Sequence, residues 1–122
     1  MSEKQKLLIV DDSELNRDIL KEILGSRYDY MEAENGTQAI QILEVHPEID
    51  LMLLDINMPQ MNGFQVLEHM RELQWIDEVP VVMISSEESV EIMRKAYDLG
   101  ITDYISRPFD AVIVKKRVQN TS

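Results

Sequence analysis

Leu51-Met52-Leu53-Leu54-Asp55-Ile56-Asn57-Met58-Pro59 is an apolar run that stops abruptly at a carboxylate and breaks into a proline-containing loop closed by Gly63. The run is too short to span a membrane. Asp50 and Pro59 bound it, so it reads as a central strand buried on both faces. Strands of that kind lie in parallel sheets, and open α/β sheets place their ligands at the carboxyl ends of the strands. Asp55 stands at that end, and the rest of the chain can be placed around it.

Upstream, Leu7-Leu8-Ile9-Val10 is a second short apolar run that also ends on carboxylates, Asp11 and Asp12. Leu15, Ile19 and Ile23, with Leu20 and Leu24, follow at helical spacing, and Gly25 supplies the stop. Tyr28 to Ala33 alternates as a half-exposed edge strand does. Asn35-Gly36 then turns into a helix carrying Ala39, Ile40 and Leu43, which ends before Pro47. Downstream of Asp55, the spacing of Val66, Leu67, Met70 and Leu73 predicts a helix from Phe64, with Trp75-Ile76 in the connection beyond it. Pro80-Val81-Val82-Met83-Ile84 predicts a fourth strand ending on Ser85 and Ser86. The helix after it is predicted to face Val90, Met93 and Tyr97 inward and to stop at Gly100. Ile101 to Ile105 predicts a fifth strand broken by Arg107-Pro108, and Asp110 can cap a last helix containing Val114 and Val118. Five strands alternating with five helices through short connections predict one α/β domain over 1–122, a parallel sheet with helices on both faces.

The 122 residues suffice to bury a core without staples. The apolar fraction of 44% and charged fraction of 29% suit a globular protein rather than a disordered or membrane one. No run approaches ~18 consecutive apolar residues, and the start, Met1-Ser2-Glu3-Lys4-Gln5-Lys6, lacks the pattern of a signal peptide, so a cytoplasmic protein is expected. The absence of cysteine removes disulfides, thiolate metal sites and thiol catalysis. His46 and His69 are far apart and receive no ligand role. A formal net charge of −11 would repel phosphate backbones, so direct nucleic-acid binding is not expected and a cationic partner suits the surface better. Most of that charge simply keeps a small domain soluble.

Convergence at one sheet edge is the functional signal. The first strand delivers Asp11 and Asp12, the third Asp55 and the fourth Ser85, while Arg107 follows the fifth. Singly, each has a structural explanation: Asp12 or Ser13 could cap the first helix, Ser85 or Ser86 the fourth, and Arg107 could pair with any surface acid. Together they point to a cation, because two like charges ~4 Å apart repel by about 4 kcal/mol at an effective dielectric near 20. Oxygen ligands without thiolate or imidazole, in a shell left open to water and phosphate oxygen, suit Mg²⁺. An EF-hand is excluded, because the loop after Asp55 lacks regularly spaced acids and the terminal Glu. A carboxylate beside Mg²⁺ can act as nucleophile toward an activated phosphoryl group, giving an aspartyl phosphate, and such transfers rest mainly on position and charge neutralisation.

With these residues in place the whole chain resembles the receiver domain of two-component response regulators. The elements that carry the resemblance are Asp11-Asp12, Asp55 followed by Met58-Pro59 and Gly63, Ser85, and the Tyr104, Pro108 and Phe109 surroundings of the fifth strand. The resemblance implies a flavodoxin-like doubly wound (βα)5 fold with strand order 2-1-3-4-5. It implies that Asp55 accepts phosphate from a sensor histidine kinase or phosphotransfer protein. Mg²⁺ would be held by Asp12, Asp55 and the Asn57 backbone carbonyl, with Asp11 acting through water. Ser85 would take a phosphoryl oxygen and Tyr104 would be the switch aromatic, while Asn57 and Glu87 occupy positions that tune hydrolysis. Met58-Pro59-Gln60-Met61-Asn62-Gly63 would form the loop beneath the site, and the Arg107-Pro108 bond would be cis. Such a domain catalyses only its own phosphoryl transfer and dephosphorylation. A phosphorylation-dependent homodimer is a further expectation of the family, and so is a C-terminal output domain, which the helical pattern of Val112 to Thr121, running on without a Gly or Pro stop, also suggests.

One position departs from the pattern: Arg107 stands where the family has lysine. A guanidinium is longer, planar and inclined to bidentate pairing, where an ammonium is a compact point charge. This keeps open a receiver-like scaffold that works without phosphorylation. A flavodoxin-like cofactor protein shares the fold, but Asp11-Asp12 would repel the phosphate its first loop must cradle. A haloacid-dehalogenase-type phosphatase would carry a second Asp where this chain has Asn57.

Overall fold

The computed structural model describes residues 4–58, 61–86 and 89–121. In chain order the elements are β1 (Gln5–Val10), α1 (Glu14–Leu24), β2 (Tyr28–Ala33), α2 (Gly36–Val45), β3 (Leu51–Asp55), α3 (Gly63–Glu72), β4 (Val81–Ser85), α4 (Val90–Asp98), β5 (Asp103–Ser106) and α5 (Ala111–Thr121), with one 3₁₀ turn at Gly25–Arg27. The sheet is parallel throughout, in the order β2-β1-β3-β4-β5.

The continuous apolar runs follow from burial on both faces. Along β1, β3 and β4 alternate residues enter two separate cores. Leu8, Val10, Met52, Leu54, Val81 and Met83 join the helices α2, α3 and α4. Leu7, Ile9, Leu51, Leu53, Val82 and Ile84 join α1 and α5 through Leu20, Leu24, Val114 and Val118. Each fully buried aliphatic contributes roughly 1.5–3 kcal/mol relative to exposure. Only the strand ends are therefore free to carry polar groups. The edge strand β2 is buried at its two ends, Tyr28 and Ala33, with half-buried and exposed residues between.

Two expectations need correction. Val90 and Tyr97, expected inward, are 67% and 44% exposed; the inward face of α4 is Ala96, with Ile92 and Leu99 partly buried against the same core. The two sets have the same helical spacing, and a buried alanine gives too weak a hydropathy signal to favour the true one. The fifth strand starts at Asp103 rather than Ile101, because Ile101 is drawn into the core ahead of it and its amide caps the end of α4 on the Ala96 carbonyl.

Helix starts are built locally. Ser13 caps α1 by accepting from the Asn16 amide at 3.3 Å, and Asn35 caps α2 by accepting from Gln38 at 2.9 Å. Asp110 accepts from Val112 and Ile113 amides at 3.0 and 3.1 Å, as its position before the last helix predicts. No described helix is long and apolar enough to cross a membrane.

Candidate functional site

The parallel register brings the polar residues together. Val10 pairs with Leu54 and Asp55 with Ile84, so Asp11, Asp55 and Ser85 emerge side by side one step beyond the ladder or at its last rung. Ser85 pairs with Ser106, and the Arg107 amide donates to the Ser85 carbonyl at 3.1 Å, which carries Arg107 to the same edge. The Arg107-Pro108 peptide is cis, as the resemblance implies.

Asp11, Asp12 and Asp55 each offer a carboxylate oxygen, and these oxygens lie within 4.8 Å of one another. Asp11 and Asp55 are buried and Asp12 is exposed. The Ser13 amide donates to Asp11 Oδ1 at 2.9 Å and the Asn57 amide to Asp55 Oδ1 at 3.0 Å, so each strand end turns back onto its own carboxylate. Arg107 Nη2 lies 3.1 Å from Asp11 Oδ2 and 2.8 Å from Asp55 Oδ2, spanning both acids from a side chain 23% exposed. The contact with Asp11 is a hydrogen bond. That with Asp55 is an ion pair without hydrogen-bond alignment, and Asp55 Oδ2 and Arg107 Nε remain buried without hydrogen-bond partners among the described residues.

Burial pushes the Asp55 carboxyl above its ordinary pKa, against the opposing pull of Arg107 and the Asn57 amide. Burial raises Asp11 as well; the Ser13 amide opposes it, Asp55 and Asp12 add to the rise, and Arg107 lowers it. Both acids thus resist ionising together unless a cation is close.

The loop after Asp55 is fixed from below. Asn62 caps α3 in a reciprocal box with Gln65, at 3.0 and 2.9 Å, and the Gly63 amide donates to the Ile56 carbonyl at 3.1 Å. A Cβ at Gly63 would stand 2.6 Å from Ile56 Cα and 2.8 Å from the Asp55 carbonyl oxygen, so only glycine lets α3 begin directly against the Asp55 turn. Pro59 and Gln60 of this loop, and the expected tuning residue Glu87, lie outside the described residues. Asn57 is exposed beside the cluster, and Ser85 is fully buried on the last rung of β4. Tyr104 is half-buried on β5 and packs against the core formed with α2, α3 and α4.

The structure also resolves the competing structural explanations. Ser13 rather than Asp12 caps α1, and Ser89 rather than Ser85 or Ser86 stands at the start of α4. Arg107 pairs with two buried acids instead of a surface one. Beside the cluster stands a residue that the sequence pattern does not single out. Arg17 is buried, donating from Nη1 to the Asp11 carbonyl at 2.6 Å and from Nε to Glu32 at 2.9 Å. Its signal was present in the sequence, since Arg17, Leu20 and Leu24 share the inward stripe of α1.

The family model for the response regulator receiver domain matches residues 7–119. The chain belongs to this family. It is 31% identical over 117 residues to a chemotaxis protein CheY homolog of Campylobacter jejuni, covering 94% of this chain and 90% of that protein. It is 34% identical over 116 residues to chemotaxis protein CheY1 of Helicobacter pylori, covering 93% and 94%. The crystal structure of CheY4 of Vibrio cholerae superposes with a TM-score of 0.89 at 26% identity, covering 98% of this chain and all of that one. A response regulator/GGDEF domain protein superposes with a TM-score of 0.88 at 26% identity over 97% of this chain, which spans 49% of that longer protein.

Proposed function

We propose that this receiver domain is a phosphorylation-controlled switch in which Asp55 accepts a phosphoryl group from a sensor histidine kinase or phosphotransfer protein. The observation that carries the reading is the cluster of Asp11, Asp12 and Asp55 with the Arg107 guanidinium laid across it. The donor set fits Mg²⁺: the three clustered side chains offer carboxylate oxygens only, and Asp55 Oδ2 is a buried oxygen without an aligned donor among the described residues. Asp12, Asp55 and the Asn57 carbonyl would hold the ion, with Asp11 behind them through water. When bound, Mg²⁺ supplies positive charge that draws a phosphoryl group to the carboxylates and neutralises what develops during transfer.

Asp55 Oδ attacks phosphorus, the phosphorus–nitrogen bond of the donor phosphohistidine breaks, and the imidazole leaves with its electron pair. Arg107 releases Asp55 and donates to phosphoryl oxygens, while the Ser85 hydroxyl takes another and Tyr104 follows it inward. Asn57 flanks the approach of the hydrolytic water, and Glu87, outside the described residues, keeps the tuning role that the family resemblance implies. The domain is not otherwise an enzyme. A cytoplasmic location, an output domain beyond Ser122 and a phosphorylation-dependent homodimer belong to the same reading, and the likeness to a GGDEF-containing regulator supports the output domain.

The scaffold reading draws on one feature, the guanidinium that already serves Asp11 and Asp55 as counter-ion. Incubation with acetyl phosphate and Mg²⁺, followed by intact mass, separates the two. Gain of one phosphate by the wild type and none by Asp55→Asn supports the switch. No gain under any condition overturns it in favour of the scaffold.

A further inference from the structure

The acidic cluster leaves Arg17 without a role. A guanidinium on the buried face of a helix is retained only where its donors are matched, and here Nη1 takes the Asp11 carbonyl at 2.6 Å while Nε takes Glu32 Oε1 at 2.9 Å. Glu32 lies on the edge strand β2 and is held in turn by Lys21, one turn along α1, at 2.8 Å. Lys21 also reaches Asp18 at 3.4 Å. Arg17 therefore ties α1 to the ends of β1 and β2 at once.

The carbonyl it holds is a particular one. β1 ends at Val10, and the Asp11 amide still pairs with the Ala33 carbonyl at 3.1 Å, but the Asp11 carbonyl lies past the ladder and takes a side-chain donor instead. It belongs to the peptide unit joining Asp11 to Asp12. Because that unit is planar, fixing its oxygen fixes the plane from which both acidic side chains depart. We infer that Arg17 is a positioning residue for the divalent-ion site, presetting the directions of the Asp11 and Asp12 carboxylates by clamping their shared peptide against Glu32. The inference rests on the metal reading above, and it explains why a charged side chain occupies an apolar stripe.

Arg17→Met keeps the length of the stem and removes its donors. Mg²⁺ titration by calorimetry, paired with amide exchange followed by NMR in the metal-free proteins, tests the role. The expected Kd for Mg²⁺ rises about tenfold, the scale on which partners behind metal ligands act. Exchange at Asp12 and Ser13 quickens while the amides of β3 stay protected. Arg17→Lys, which reaches the carbonyl with a single donor, restores part of the affinity and serves alone should Arg17→Met fail to fold. A loss of stability with unchanged Kd and unchanged exchange overturns the inference, because Arg17 would then only fill a core position. If the wild type itself takes up no Mg²⁺, the metal reading falls, and the exchange rates at Asp12 and Ser13 decide the role of Arg17 by themselves.

Discussion

Replacing Asp12 with asparagine should stabilise the metal-free domain while weakening Mg²⁺ binding. The carboxylate oxygens of Asp11, Asp12 and Asp55 lie within 4.8 Å of one another, and at that separation two unit charges repel by about 3.5 kcal/mol at an effective dielectric of 20 and by about 0.9 kcal/mol at that of water. Asp12 is the exposed member, so the lower figure is nearer. Arg107 already offsets roughly one of the other two charges. The start of α1 favours a nearby anion by about 0.3–1 kcal/mol, which asparagine forfeits. The cap itself is untouched, because Ser13 supplies it. A net gain of up to about 0.6 kcal/mol remains, equivalent to about 2 °C in Tm for a chain of this length. Urea melts in chelator should show a higher midpoint with an unchanged slope. Excess Mg²⁺ should reverse the order, since it stabilises only the protein that binds it. A clearly less stable Asp12→Asn protein in chelator would refute the reasoning and make Asp12 a structural residue of the loop.

Arg107→Ala should tighten Mg²⁺ about tenfold, by ~1.4 kcal/mol, because a competing cation leaves the cluster; calorimetry showing no change would mean the guanidinium does not contend with the ion. The same variant should accept phosphate more slowly and leave the Tyr104 environment unmoved, whereas Arg107→Lys should preserve both fold and switching, as fluorescence and phosphorylation rates would report. Gly63→Ala should lose about 1–3 kcal/mol, since its Cβ meets backbone at 2.6 Å rather than a flexible side chain; an unchanged thermal melt would count against the tight turn. The raised pKa of Asp55 means that the folded state keeps a proton the unfolded state has released. Metal-free stability from this group is therefore present below the ordinary value of 3.8 and lost as pH rises through the raised one. The advantage of Asp55→Asn over wild type should grow over that window in chelator, and a flat difference would show that Arg107 cancels the burial.

The strand ends were legible because an apolar run buried on both faces has only its last residue to spend on polarity. Leu7 to Val10 and Leu51 to Leu54 are fully buried, and each run hands over to an aspartate. The inward face of α4 was not legible, because Val90, Met93 and Tyr97 keep a helical interval just as Ile92, Ala96 and Leu99 do, and side-chain size misdirects the choice when the buried residue is alanine. Nor could sequence show which acids Arg107 meets. Its partner Asp11 lies 96 positions away, and the contact exists only because β5 is carried to the sheet edge beside β4.

Two guanidiniums thus serve one acidic cluster, and their surroundings assign them different duties. Arg17 is nearly enclosed, and its donors to Asp11 and Glu32 are matched at 2.6 and 2.9 Å, so moving it would break two bonds, of which the one to the Asp11 carbonyl is buried. Arg107 is 23% exposed, meets Asp55 without hydrogen-bond alignment, and has a buried Nε with no partner among the described residues. It holds one aligned hydrogen bond, to Asp11, and its exposed fraction gives it a route toward solvent once another cation takes over the two acids. The proposed switch, in which one counter-ion is exchanged for another, would need a fixed frame and a movable charge, and Arg17 on α1 and Arg107 in the loop after β5 are placed to supply them.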